Sequence, residues 1–65
     1  MIRTAIRFQD DVVVVFDGRG RQVPKYQGQH EKVKVSVLRD APSDAIFGYW
    51  DDREAEFKIV SRGEW

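Results

Sequence analysis

The side chains able to do chemistry are few and scattered. His30 is the only histidine and there is no cysteine. Thiol chemistry, disulfide staples and thiolate metal sites are therefore excluded together, and no second imidazole exists to share a metal. On a helical reading of its surroundings, His30 falls within an apolar stripe, the setting of a packed core histidine rather than of a general base. Two acidic pairs, Asp10-Asp11 and Asp51-Asp52, fall at expected hairpin tips, where solvent surrounds both members. Catalytic carboxylate pairs need a shaped site that separates their protonation, which a turn tip does not supply. An oxygen-only calcium site through Asp51, Asp52 and Glu54 lacks the twelve-residue loop pattern.

The stretch Gly18-Arg19-Gly20-Arg21, followed by Lys25, gathers three cations beside two glycines. Exposed backbone N–H groups and Arg forks hold phosphate or carboxylate, which makes Arg19, Arg21 and Lys25 a candidate anion-binding loop. It lacks the Gly-Lys-Ser/Thr ending of a Walker loop, does not lead straight into a helix, and is not the Gly-x-Gly-x-x-Gly fingerprint. A solvated turn is the competing account.

The elements that would position these groups follow from patterning. Ile2, Thr4, Ile6 and Phe8 alternate with Arg3, Ala5 and Arg7, the period of a half-buried strand. Val12 to Phe16 is unbroken and rich in β-branched residues, so it pairs with the first strand as a hairpin across Gln9-Asp10-Asp11. Asp17-Gly18-Arg19-Gly20 then closes the strand with turn residues. Lys32 to Val37 alternates as a strand would, but the ends of the segment favour a helix from Gln29 to Asp40. Gly28 is an acceptable N-cap, Glu31 and Arg39 match the helix dipole, and Pro42 forces a stop. On that helix His30, Val33, Val37 and Ala41 share one stripe and Val35 is a misfit. Ala45 to Trp50 and Arg53 to Val60 form a second hairpin around Asp51-Asp52, with Ile46 and Trp50 facing the helix. The expected fold is α+β in the order ββαββ: a four-stranded antiparallel sheet of two hairpins with one helix on one face. An all-β small barrel is the alternative.

Coverage carries the functional expectation. One helix shelters one sheet face, yet the run Val12 to Phe16 presents apolar side chains to both. With Phe47 and Tyr49 assigned to the uncovered side, Val12, Val14, Phe16, Phe47 and Tyr49 form an apolar and aromatic patch of the kind that marks protein contact or self-association. The same aromatics with Arg3 and Arg7 suit single-stranded nucleic acid, but Glu54 and Glu56 nearby would repel a phosphate backbone.

The 65 residues make a single small domain, residues 1–65, whose one core leaves little margin over chain entropy. Eleven Lys and Arg balance eleven Asp and Glu, which argues against a dedicated nucleic-acid or membrane-surface binder. The total hides a division: Met1 to Arg39 carries eight basic and four acidic residues, and Asp40 to Trp65 three and seven. No apolar run reaches bilayer length and no charged-then-apolar leader is present, so a cytoplasmic domain is expected. So short a chain barely encloses a substrate pocket of roughly 300 Å³. The expectation is a non-enzymatic interaction module, homodimerisation being its simplest version, with no cofactor, metal or small-molecule substrate.

Overall fold

The computed structural model describes all residues from Met1 to Trp65. It contains β1 (Ile2–Arg7), β2 (Val12–Asp17), a 3₁₀ turn (Pro24–Tyr26), β3 (Gly28–Gln29), α1 (His30–Asp40), β4 (Ile46–Asp51) and β5 (Glu56–Val60). The β1–β2 hairpin turns through Gln9-Asp10-Asp11. The Phe8 N–H donates to the Val12 carbonyl and the Asp11 N–H to the Phe8 carbonyl, both at 2.9 Å. Asp11 takes φ 64°, the left-handed conformation that ends a three-residue hairpin loop. Arg7 clamps its carboxylate through Nη2 at 2.8 Å.

The helix forms despite four β-branched or short side chains because its ends and one face favour it. Gln29, not Gly28, takes the N-cap position and makes no side-chain capping bond, the Ala41 N–H closes the other end on the Val37 carbonyl, and Glu31 lies in the first turn and Arg39 in the last. Val37 is fully buried, while Val35 is 71% exposed on the opposite side. Arg62 completes the C-terminus from afar: its guanidinium donates to the carbonyls of Leu38 at 3.1 Å and Pro42 at 2.6 Å. A cation there meets the negative end of the helix dipole.

The sheet has five strands in the order β3-β2-β1-β4-β5, and it is mixed rather than four-stranded and antiparallel. It is open, not a barrel. β1 and β4 run parallel at its centre. The reason is the route between the hairpins. Residues 18–29 return along β2, bridging Phe16 to Gln22 and pairing Gly28-Gln29 with Val12-Val13. The helix then descends across one face, and β4 starts beside the beginning of β1. The second hairpin also differs in register. Trp50 pairs with Phe57 and Asp51 with Glu56, so its loop has four residues, Asp52 to Ala55, rather than two. Asp51 holds that loop by accepting the N–H groups of Arg53 at 2.9 Å and Glu54 at 3.3 Å, and Ala55 closes it at φ 51°.

One core lies between helix and sheet: Ile2, Ala5, Val13, Val15, Tyr26, Val37, Ala41, Phe47 and Trp65. The tail after β5 folds onto this same side. Trp65, 2% exposed, lies edge-on to His30 at 4.8 Å and to Phe47 at 5.1 Å between ring centroids. Arg7 Nη1 holds its carbonyl at 3.0 Å, and the Tyr49 hydroxyl donates to the Glu64 carbonyl at 2.8 Å.

Candidate functional site

Side chains on a strand alternate between faces, so the registers sort the strand residues to one side or the other, except at the irregularity between Ile2 and Thr4, which lets Ile2 join the core beside Ala5. Ala5, Val13, Val15 and Phe47 face the helix and are buried. Their neighbours face away. β1 contributes Thr4 and Ile6, β2 contributes Val12, Val14 and Phe16, β4 contributes Ile46 and Trp50, and β5 contributes Phe57 and Ile59, with Phe8 extending the β1 row. None of these belongs to the core or packs against it. All are partly exposed, Ile59 to 71%.

From Thr4 onward this far face carries no charged strand residue, and Arg3, at the β1 irregularity, pairs with Asp44. Arg7, Asp17, Asp51, Glu56 and Lys58 all share parity with the helix-facing set. Helix and tail cover most of that side, and the charges emerge around its margin. The usual arrangement of an antiparallel hairpin, apolar inward and polar outward, is thus replaced by apolar residues on both sides. Gly48 shapes the middle of the face. A Cβ there would collide with the Phe57 ring and lie 2.6 Å from the Lys58 carbonyl, so the ring rests across the glycine backbone. Beside it a shallow groove of about 630 Å³ runs between the hairpin tips, lined by Phe8, Gln9, Asp10, Val12, Val14 and Asp52.

Of the residues singled out by sequence, Val12, Val14 and Phe16 lie together on this open face. Phe47 and Tyr49 do not. Phe47 is 3% exposed inside the core, and Tyr49 faces the tail, with the Arg7 guanidinium 5.6 Å from its ring centre. The two sides of β4 are almost equally apolar, and the tail, by burying Trp65 against Phe47, decides which one turns inward. Ile6, Phe8, Ile46, Trp50, Phe57 and Ile59 take their place. The available signal was Ala5: a helix lies close to a sheet over a small side chain, which marks Ala5's face as covered and that of Ile6 as open.

The candidate anion-binding loop is occupied by the chain itself. Asp17 accepts the N–H groups of Arg19 at 2.9 Å and Arg21 at 3.0 Å, and its other oxygen lies 3.5 Å from the Arg21 guanidinium. The backbone N–H groups of Arg21 and Arg19 hold the Asp17 carboxyl below the usual carboxylate range. Lys25 lies elsewhere, over the Tyr26 ring at 5.3 Å. Arg19, Arg21 and Lys25 therefore do not converge.

His30 is 8% exposed. Burial, reinforced by the charges of Arg7 and Lys34, holds it below the ordinary histidine range. Its Nε2 and the Trp65 Nε1 have no partner. The acidic pairs are separately engaged: Asp11 by Arg7, and Asp51 by Lys58 at 2.9 Å. No three His, Asp or Glu side chains gather as metal ligands, and no helix is long and apolar enough to cross a membrane.

Comparison with known proteins returned no matching family model, curated protein or solved structure. The site's geometry is what bears on function.

Proposed function

We propose that this chain is a non-enzymatic protein-interaction module that docks a protein surface on the open face of its sheet. One observation carries the reading: apolar side chains from four adjacent strands lie in register on a face that takes no part in the core and whose charges come only from the hairpin loops at its rim. At about 4.8 Å between strands and 3.3 Å per residue, the face measures roughly 400 Å² in projection. That lies within the roughly 300–600 Å² of the largest apolar patch on a typical monomer, a patch that is often functional. Trp50, Phe8, Phe16 and Phe57 supply the aromatic anchors from which interfaces draw most of their energy.

Single-stranded nucleic acid is the competing occupant, since four aromatics on an open sheet suit base stacking. Phosphates would require cations among them, and the strands place none there, while Asp10 and Asp52 border the groove. Photo-crosslinking in cells tests the reading. A benzophenone amino acid at Trp50 or Val14 should give protein adducts, and one at the solvent-facing Val35 should not. Nucleic-acid adducts alone, or equal adducts at Val35, would overturn it.

A further inference from the structure

We propose that the occupant of the open face is a second copy of this chain, packed sheet to sheet with its strands antiparallel across a two-fold axis. The inference rests on the docking role of that face and adds the partner and its orientation.

The apolar face is its own complement, since apolar side chains of one copy desolvate those of the other without stranding a charge. Orientation follows from the ends of the sheet. At one end the two hairpin loops bring six carboxylates, from Asp10, Asp11, Asp51, Asp52, Glu54 and Glu56, against Arg7, Arg53 and Lys58. At the other end Arg3 pairs with Asp44 and Asp17 loosely holds Arg21 of the Gly18–Arg21 loop, which leaves the Arg19 guanidinium, in no ion pair or hydrogen bond, as the uncompensated charge. Two sheets meeting face to face are related by a two-fold axis within the plane of contact. An axis along the strands would lay the acidic end on the acidic end. An axis across the strands lays it on the Arg19 end, twice, by symmetry. It also leaves β1 over its own copy, as in an aligned sheet sandwich. Asp10 belongs to the β1–β2 end of the acidic rim and Arg19 to the far end of β2, so this axis brings the two close, with Arg19 of one copy at the mouth of the other's groove.

Two faces of about 400 Å² in projection make roughly 800 Å² together, below the roughly 1,200 Å² total at which standard interfaces begin, so the dimer is expected to be weak and concentration-dependent. Pairing through the free edge of β5 is opposed by Lys58 at its middle, which would face its own copy.

Sedimentation equilibrium over a hundredfold concentration range, at low salt, tests the proposal. The natural chain should pass from monomer to dimer. Trp50→Lys should remain monomeric with an unchanged circular dichroism spectrum. Arg19→Glu and Asp10→Arg should each weaken the dimer at least tenfold, whereas Asp10→Ala, which removes the same turn hydrogen bond to Val12 without reversing charge, should weaken it less than Asp10→Arg. Mixing Arg19→Glu with Asp10→Arg should restore dimers, because each mixed contact again joins opposite charges. A monomer at every concentration overturns the second copy as occupant; the crosslinks at Trp50 then still decide the docking role. A dimer lost in Trp50→Lys but indifferent to both charge reversals overturns the antiparallel arrangement. A dimer indifferent to Trp50→Lys overturns both this proposal and the docking role of the face for self-association.

Discussion

His30 shows how one buried side chain links acidity to stability. Packed against Trp65 and depressed in pKa by burial, it takes up its proton at a lower pH in the folded protein than in the unfolded chain, which binds one near pH 6.5. The unfolded state then binds more protons, so stability falls as pH drops through about 6.5 and is retained above it. Denaturation midpoints at pH 7.5 and 5.5 should show this loss, and His30→Gln should flatten the difference between them. Asp40 acts in the same sense in a lower window. Hydrogen bonds from Arg39 and from the Tyr26 hydroxyl at 2.6 Å lower its pKa to about 2. The stability it supplies is present above its unfolded value near 3.8 and is lost as pH falls toward 2. Ala55 stores strain instead. An L-residue in the left-handed region costs about 1–2 kcal/mol, so Ala55→Gly should gain on the order of 0.5–1 kcal/mol in urea unfolding, net of the added chain entropy.

The helix and its tether give the next predictions. Arg62 satisfies carbonyls at the end of α1 while its guanidinium lies 4.9 Å from the Phe47 ring centre. Arg62→Ala should cost about 1.5–3 kcal/mol, the range for charged hydrogen bonds, and Arg62→Lys should recover only part, having one ammonium where the fork reaches the carbonyls of Leu38, Ala41 and Pro42. Gly48→Ala forces the Phe57 ring off its seat and should cost about 1–3 kcal/mol by overpacking; loss of the Phe57–Gly48 cross-strand proton contacts by NMR would accompany it. Elements were largely readable from local chemistry. The alternation of Ile2 to Phe8, the unbroken valines and the helix ends each dictate one conformation, and exposed Val35 is the misfit its position implied. What lay beyond such reading is non-local. Nothing near Ile46 says that its neighbour is Thr4 in parallel, and Asp51-Asp52 reads as a hairpin tip because no glycine marks the left-handed residue at Ala55. The open face was half visible: Val12, Val14 and Phe16 lie on it as expected, but the valine run serves either side and it is the three-residue loop ending at Asp11 that fixes which valines turn outward. The outward side of β4 depended on Trp65, a residue five positions beyond the last strand.

For the molecule as a whole, two apolar assemblies share one sheet. The inner one holds the chain together and the outer one is free to be shared. If two copies share it, folding and association are linked by mass action, so the melting temperature should rise with protein concentration. Scanning calorimetry across two decades of concentration measures this, and Trp50→Lys should abolish the dependence. Substitutions on the two sides should separate accordingly. Trp65→Ala, emptying the space between His30 and Phe47, should cost about 3–5 kcal/mol, whereas Ile59→Thr, at a side chain already mostly in water, should change monomer stability by less than about 1 kcal/mol.

The parallel seam between Thr4–Arg7 and Ile46–Tyr49 has a kinetic consequence. Each hairpin closes through a short loop, but the seam joins residues on opposite sides of the helix and waits for the whole intervening chain to be ordered. Two ribbons formed first are expected to meet late, and pulsed hydrogen exchange during refolding should protect the amides along that junction last.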